Sequence, residues 1–409
     1  MLGGNTLYGT TWSGGSFGYG TVFKMNADGT SYTLLKSFGG TDGARPCAEV
    51  VVNGSILYGT TQNGGSLGCG TVFKVNSDGT GYAVLKQFGA IDGAGPATGL
   101  VLGGSTLYGT TYSGGDAGSG TVFKINTDGT GFTVLKNFTG SDGQCPSGTL
   151  VLSGTNLYGT ANQGGASGDG GPGYGLVFKL SSDGTGFAIL KEFSGTDGQY
   201  PYGNLVLIGS TIYGTTESVG SSFSAGLVFK VCTDGTGYTV LKQFDGSEAG
   251  HPLAGLVLRD STLYGTTSMG SPPGSYGSGG TVFQIKTDSS AYAVLKSFTG
   301  VDGSTPWAGL ALSGTRLYGT TWNGGAFGNG TVFSLELAPT IQTMKRTNGT
   351  FTLTWGAVTG LSYQVQYTTN LSSSNWLALG SIITATNSVV SFSDSGTGAR
   401  RFYRVVGTP

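Results

Sequence analysis

The chain has 409 residues, 80 of them glycine, a charged fraction of only 10% and a formal net charge of −1. No lysine or arginine cluster supplies the electrostatic footprint of a nucleic-acid binder, no apolar run approaches the ~18 residues of a membrane span, and an aromatic content of 11% is too high for a disordered polymer. The length exceeds one ordinary domain, so one large domain plus a smaller one is the expectation.

The first element in chain order is a repeat. Leu-Tyr-Gly-Thr, with Ile212 once replacing the leucine, recurs seven times, its tyrosines at Tyr8, Tyr58, Tyr108, Tyr158, Tyr213, Tyr264 and Tyr318. A period near fifty residues marks an array of one supersecondary element. In the third copy, residues 99–111 and 120–138 contain four short runs rich in Val, Leu, Tyr, Phe and Thr, which read as strands a, b, c and d. Strands a and b are joined at Gly103-Gly104, matched by Asn53-Gly54, Ser153-Gly154 and Ser313-Gly314, and strands c and d at Asp128-Gly129. These residues tolerate the positive φ of two-residue hairpin turns. The b–c and d–a connections, 112–119 and 139–147, are long.

Four antiparallel strands per repeat describe a propeller blade, and the expected fold is all-β: a seven-bladed β-propeller over residues 1–338. The long loops then share one face, where propellers present what they bind. Side chains alternate along strand b, so Tyr8 and Thr10 face one neighbouring blade and Leu7 and Gly9 the other. The recurrent glycine reads as the place where an adjacent blade's aromatic or backbone approaches. Strand d occurs six times and is missing after Leu337, while strand a of the first repeat is reduced to Met1-Leu2. Closure therefore lacks an outer strand, expected upstream of Met1, and no basic and apolar leader precedes the repeat, so a signal or anchor is expected outside this chain.

From about Pro339 the pattern changes to alternating runs at Phe351–Trp355, Tyr363–Tyr367, Trp376–Leu379, Val389–Phe392 and Phe402–Val406, a small C-terminal β-sandwich over 339–409. Its Leu-Thr-Trp and Phe-Tyr-Arg-Val signatures resemble a fibronectin type III-like module. In the repeats, Leu-Tyr-Gly-Thr-Thr, Gly-Gly, Gly-Thr-Val-Phe-Lys, Asp-Gly-Thr and Asp-Gly-x-x-Pro, as in Asp42–Pro46, recur in fixed order. They resemble the GloVer tandem repeat of choice-of-anchor bacterial surface proteins over residues 1 to about 337. That resemblance implies export and surface attachment, hence an extracellular or cell-surface location, and brings no activity with it.

The chemistry-bearing residues are few. Asp42, Asp92, Asp142, Asp197, Glu248 and Asp302 share one loop position. As a ring they would offer oxygens to a cation, but Asp-Gly context favours carboxylates that shape their own turns, so no metal is expected. No phosphate loop, nucleophile elbow or zinc spacing occurs, so no cofactor and no catalytic residue is assigned. Lysines recurring on strands c and d read as solvent-facing guards of outer strands. The four cysteines sit at unrelated offsets and read as free thiols, with a Cys47–Cys69 bridge left open.

The candidate ligand-binding residues are Trp12 and Trp322 at one b–c position, Trp307 after Pro306, Tyr112 and Tyr202 at the corresponding positions elsewhere, and His251, which reads as a solvated loop residue in preference to an acid/base pair with Glu248 because no third polar partner or nucleophile stands at a recognisable spacing. Exposed aromatic platforms suit sugar faces or protein hot spots, whereas rings packed under their own loops would be structural. Two functions fit these residues. One is an exported, non-catalytic binding or surface-structural protein whose loop face engages a glycan or a protein partner. The other is a polysaccharide-active propeller enzyme, a glycoside hydrolase or lyase, using loop carboxylates.

Overall fold

The computed structural model describes residues 1–409 apart from 167–172, 221–225, 248, 271–278, 338, 340, 358–361, 373–374, 388, 397–399 and 409. Among the described residues there are strands and turns and no helix. The chain divides into two compact units, 1–310 with 320–331 and 311–319 with 332–409.

Each copy of the tyrosine motif builds one antiparallel sheet. In the second repeat the strands are a (Val51–Asn53), b (Ile56–Thr61), c (Thr71–Asn76) and d (Ala83–Gln87), hydrogen-bonded in that order. The fourth repeat adds Gln144–Pro146, which pairs with a strand b extended to Asn156–Gln163. The last repeat has three strands, Ala311–Ser313, Arg316–Thr321 and Thr331–Glu336.

The alternation of strand b sets how successive sheets pack. Tyr8, Val22, Leu35 and Phe38 of the first repeat bury against Val50, Leu57, Phe73 and Val75 of the second. The same set recurs as Tyr58, Val72 and Phe88 against Leu100, Leu107, Phe123 and Ile125. Phe38, at the end of strand d, meets Phe73 edge-on at 5.3 Å and Tyr82 at 6.1 Å, a geometry that adds to area burial. Phe88 meets Phe123 and Phe132 in the same way.

The glycine of Tyr-Gly-Thr has a different neighbour from the one its recurrence predicts. A Cβ on Gly109 would lie 2.6 Å from Phe123 Cζ and 2.8 Å from Leu100 Cδ2. Gly109 is the cross-strand partner of Phe123 in its own sheet. The ring that needs the space folds over from strand c of the same repeat, because directly opposed residues in an antiparallel pair are close enough for a large ring to cover its partner.

The turns differ too. The a–b turn falls one residue later, on Gly104-Ser105, with Gly104 at φ 61° between paired Gly103 and Thr106. Strand c ends at Asn126 and strand d begins at Thr133, so Asp128-Gly129 lies in a longer loop. Asp128 Oδ1 accepts from the Thr130 N–H at 2.8 Å and the Thr130 hydroxyl at 2.7 Å. Local side-chain bonds of this kind compete with ladder pairing, and the c–d ladder shifts register between Val122 and Phe123.

The recurrent lysines are not free guards. On strand d, Lys36 pairs with Asp42 and lies 4.3 Å from the Tyr82 ring centre of the next repeat. Lys86, Lys136 and Lys191 repeat the arrangement with Asp92, Asp142 and Asp197 and with Phe132, Phe187 and Tyr238. On strand c, Lys24 donates to the Ser77 carbonyl of the next repeat at 2.8 Å. Both sets fasten one repeat to another, because a long stem along apolar surface can still place its charged end on an acceptor.

In the second compact unit, strands Ile341–Thr347, Thr350–Gly356 and Val389–Asp394 form one sheet and Leu377–Thr384, Ser362–Thr368 and Phe402–Thr408 another. Leu353, Trp355, Tyr363, Val365 and Val405 make their shared core. Asp394, nearly buried, accepts from Arg401, from the Tyr403 hydroxyl and from the Gly396 N–H.

Candidate functional site

In most repeats two threonines end strand b and hold the loop beyond it in place. The first threonine donates to a carbonyl in the loop entering the next repeat: Thr10 to Ala48 at 2.9 Å, Thr60 to Thr98 at 2.9 Å, Thr215 to Ala254 at 3.1 Å. The second bonds the first threonine of strand c, as in Thr61–Thr71 and Thr111–Thr121 at 2.8 Å. The next residue occupies one position of the repeat, and there the repeats stop agreeing: Trp12, Gln62, Tyr112, Asn162, Glu217, Ser268 and Trp322.

A second varied position lies beside it. The residue before each loop proline is Arg45, Gly95, Cys145, Tyr200, His251 or Thr305, and all six have φ between 55° and 65°. Left-handed backbone at a non-glycine residue costs on the order of 1–3 kcal/mol and collects at sites where geometry serves a purpose. The carbonyl of this residue accepts from the N–H of the first varied position: Arg45 from Gln62, Tyr200 from Glu217, His251 from Ser268, Thr305 from Trp322. Uniform backbone thus presents a varied set of side chains on the loop face.

Beneath them, Glu49, Gly99, Thr149 and Asn204 occupy one register. Asn204 Nδ2 donates to Glu49 Oε1 at 3.5 Å, its Oδ1 accepts from the Thr149 N–H at 2.8 Å, and the Gly99 N–H donates to the Thr149 hydroxyl at 3.0 Å. Loops from the second and fifth repeats therefore meet.

The tryptophans come together. Trp12 and Trp322 have ring centres 5.8 Å apart and Trp322 and Trp307 5.0 Å apart, each pair tilted. Trp307 is 50% and Trp322 43% exposed, so neither is packed under its loop. The Arg45 guanidinium lies 4.4 Å from the Trp12 ring centre.

A second group gathers Tyr112, Cys145 and Tyr202. Burial, then the Cys145 thiol and the Tyr202 hydroxyl, push the Tyr112 phenol well above its ordinary value. Burial, and then the Glu217 carboxylate, raise Tyr202. His251 Nδ1 stands 3.5 Å from Glu217 Oε1, and burial lifts the Glu217 carboxyl above the usual range. Glu217 thus stands beside His251, and Glu248, the acid the sequence set near it, lies outside the described residues. All four cysteines are free, Cys47 and Cys69 included. Cys47 reaches solvent, but the protein packed around it pushes its thiol up to about 11.

The loop aspartates are occupied. Asp42 Oδ1 accepts from the Gly39 N–H at 2.7 Å and Oδ2 from Lys36, and the same pattern holds Asp92, Asp142, Asp197 and Asp302. Burial raises the Asp42 carboxyl, but Lys36 and the amide outweigh it and hold it below the ordinary value. Among the described residues no group of three or more His, Cys, Asp or Glu side chains is arranged to hold a metal ion.

Arg45 and Glu217 escaped sequence reasoning. Their signal was available, since both stand where otherwise regular repeats differ, but only the fold shows that the two varied positions are neighbours.

These sheets, packed face to face with their varied loops together, are those of a β-propeller. The sequence matches the Gloeobacter/Verrucomicrobia repeat over residues 2–172 and again over 168–374, and the chain belongs to that repeat family. No curated protein matches it in sequence. Among solved structures it is similar to an oligogalacturonate lyase in complex with manganese (TM-score 0.55, 11% identity, 82% of this chain and 86% of that one). It is also similar to a puromycin-hydrolyzing peptidase of Mycobacterium tuberculosis (0.55, 13%, 88% and 58%) and to the periplasmic gluconolactonase of Pseudomonas aeruginosa (0.50, 16%, 81% and 96%). At such identities the likeness is one of fold. No helix among the described residues is long and apolar enough to cross a membrane.

Proposed function

We propose that the protein is an exported, non-catalytic binding protein whose loop face engages a glycan through Trp12, Trp322 and Trp307, while residues 339–409, a fibronectin type III-like module, space it from its carrier. The observation that carries this reading is the contact of three tryptophans from distant parts of the chain, two of them about half exposed. Isolated exposed aromatics are ordinary, but a contiguous exposed group is a recognition surface. Tyr112 and Tyr202 extend the ligand-facing set. A cell-surface location accords with the family resemblance.

A glycan array run alongside a reducing-sugar release assay tests it, with retention and no release expected. In the Trp307→Ala, Trp322→Ala double variant, loss of two stacking contacts worth about 0.5–1.5 kcal/mol each should weaken binding by roughly tenfold to a hundredfold with an unchanged melting temperature. Unchanged retention would remove the glycan reading of this face.

The second reading, a polysaccharide-active enzyme, is favoured by one observation, the half-buried Glu217 beside His251. A carboxyl with raised pKa next to an imidazole is suited to proton transfer. Sugar release that disappears in Glu217→Gln would establish it; the loop aspartates are poor candidates because each is held by a lysine.

A further inference from the structure

The geometry points to a carboxylate-bearing sugar as the ligand of the tryptophan face, with Arg45 as the group that reads its charge. This rests on the glycan reading and goes beyond it by naming the substrate class and the specificity residue.

Arg45 is not required by the fold. Its backbone is left-handed at φ 56°, and the equivalent position in the next repeat is Gly95 at φ 65°, with no side chain at all. An arginine held in a conformation that glycine adopts without strain has a use beyond the turn. Its guanidinium lies 4.4 Å from the Trp12 ring centre, while the residue is exposed. Resting on the ring fixes the planar fork, no side-chain hydrogen bond to another described residue takes its edge N–H donors, and that edge matches a carboxylate bidentately.

The neighbouring acids are engaged elsewhere. Asp42, three residues away, holds Lys36 and the Gly39 N–H, and Glu49 accepts from Asn204. Among the described residues Arg45 makes no ion pair, whereas Lys36, Lys86, Lys136, Lys191 and Lys296 are each neutralised by an aspartate. Arg45 is thus an available cation at one end of a continuous row, Trp12, Trp322, Trp307, on which sugar rings can stack.

The test is binding of the full chain to sets of oligosaccharides matched in backbone and length, each present as the neutral, the uronate and the sulfated form. Wild type should retain uronate members above their neutral and sulfated counterparts, with retention falling as salt rises. Arg45→Asn should weaken uronate binding by roughly tenfold and leave neutral members unchanged. Asparagine tolerates the left-handed backbone, so the melting temperature should not fall. Arg45→Lys should be intermediate, since a point charge lacks the fork. Equal or better binding of neutral forms, a preference for sulfated over uronate forms, or full uronate binding by Arg45→Asn would overturn the inference while leaving the tryptophan site standing. Retention of no glycan by wild type would overturn the glycan reading itself.

Discussion

Gly109 illustrates what a single recurrent residue does in this chain. It leaves room for the Phe123 ring and for Leu100, contacts that any Cβ would invade. The ring cannot withdraw, because it is wedged edge-on against Phe88 and has no exposed surface. Gly109→Ala should therefore destabilise the protein by about 1–3 kcal/mol, the usual cost of overpacking a filled core, read as a lower urea midpoint. Gly104→Ala is the control: its Cβ meets nothing within 4 Å, and only the positive φ of 61° is strained. A cost at Gly109 no greater than at Gly104 would show that the ring can move aside.

At the scale of the element, the lysine on strand d, the aspartate in the loop after it and the aromatic ring of the next repeat form one fastening. Lys136 holds Asp142 and lies 4.7 Å from the Phe187 ring centre. Lys136→Met keeps most of the stem but strands a partly buried carboxylate, for an expected loss of about 1–3 kcal/mol in urea unfolding. Asp42, Asp142 and Asp197 have folded-state values below the ordinary one, in each case because lysine and amide bonds outweigh burial. Asp302, held by Lys296 and the Thr299 amide, falls to about 2. A depressed folded value means that the unfolded chain binds protons first as pH drops. The contribution is present above roughly pH 4 and lost as pH falls towards about 2. The urea midpoint should be flat from about pH 7 to 5 and decline below about pH 4, less steeply in Asp302→Asn. A midpoint insensitive to acid would contradict the fastening.

Across the whole molecule the repeats are equal in sequence but not in protection. Val22, Val72, Val122, Val177, Val228 and Val282 on successive c strands are fully buried, whereas Val332 on the last is 43% exposed. Among the described residues the last sheet has three strands and no strand d to cover its edge. Backbone amides of Thr331–Glu336 should exchange with deuterium faster than those of the corresponding c strands, since local opening tracks apolar coverage. Equal exchange would mean that another segment covers this edge.

Much of this was written in the chain. Period, strand alternation and paired glycines give the number and order of strands in a repeat, because these depend on local periodicity and on residues that tolerate special backbone angles. Alternation along Leu-Tyr-Gly-Thr also gives which side chains face which neighbour. What tertiary structure alone decided is every contact between residues far apart in sequence. The sequence singled out Trp12, Trp307 and Trp322 and made their contact depend on the first and last repeats being neighbours, it did not see Glu217 beside His251, and it gave no role to Arg45 or Glu217. It read the lysines as solvent guards because a repeat does not reveal that a residue in one copy acts on the next. The chain specifies each repeat through short-range geometry; the loop face exists only once the sheets pack, because its residues are brought together by backbone that is identical everywhere except where they differ.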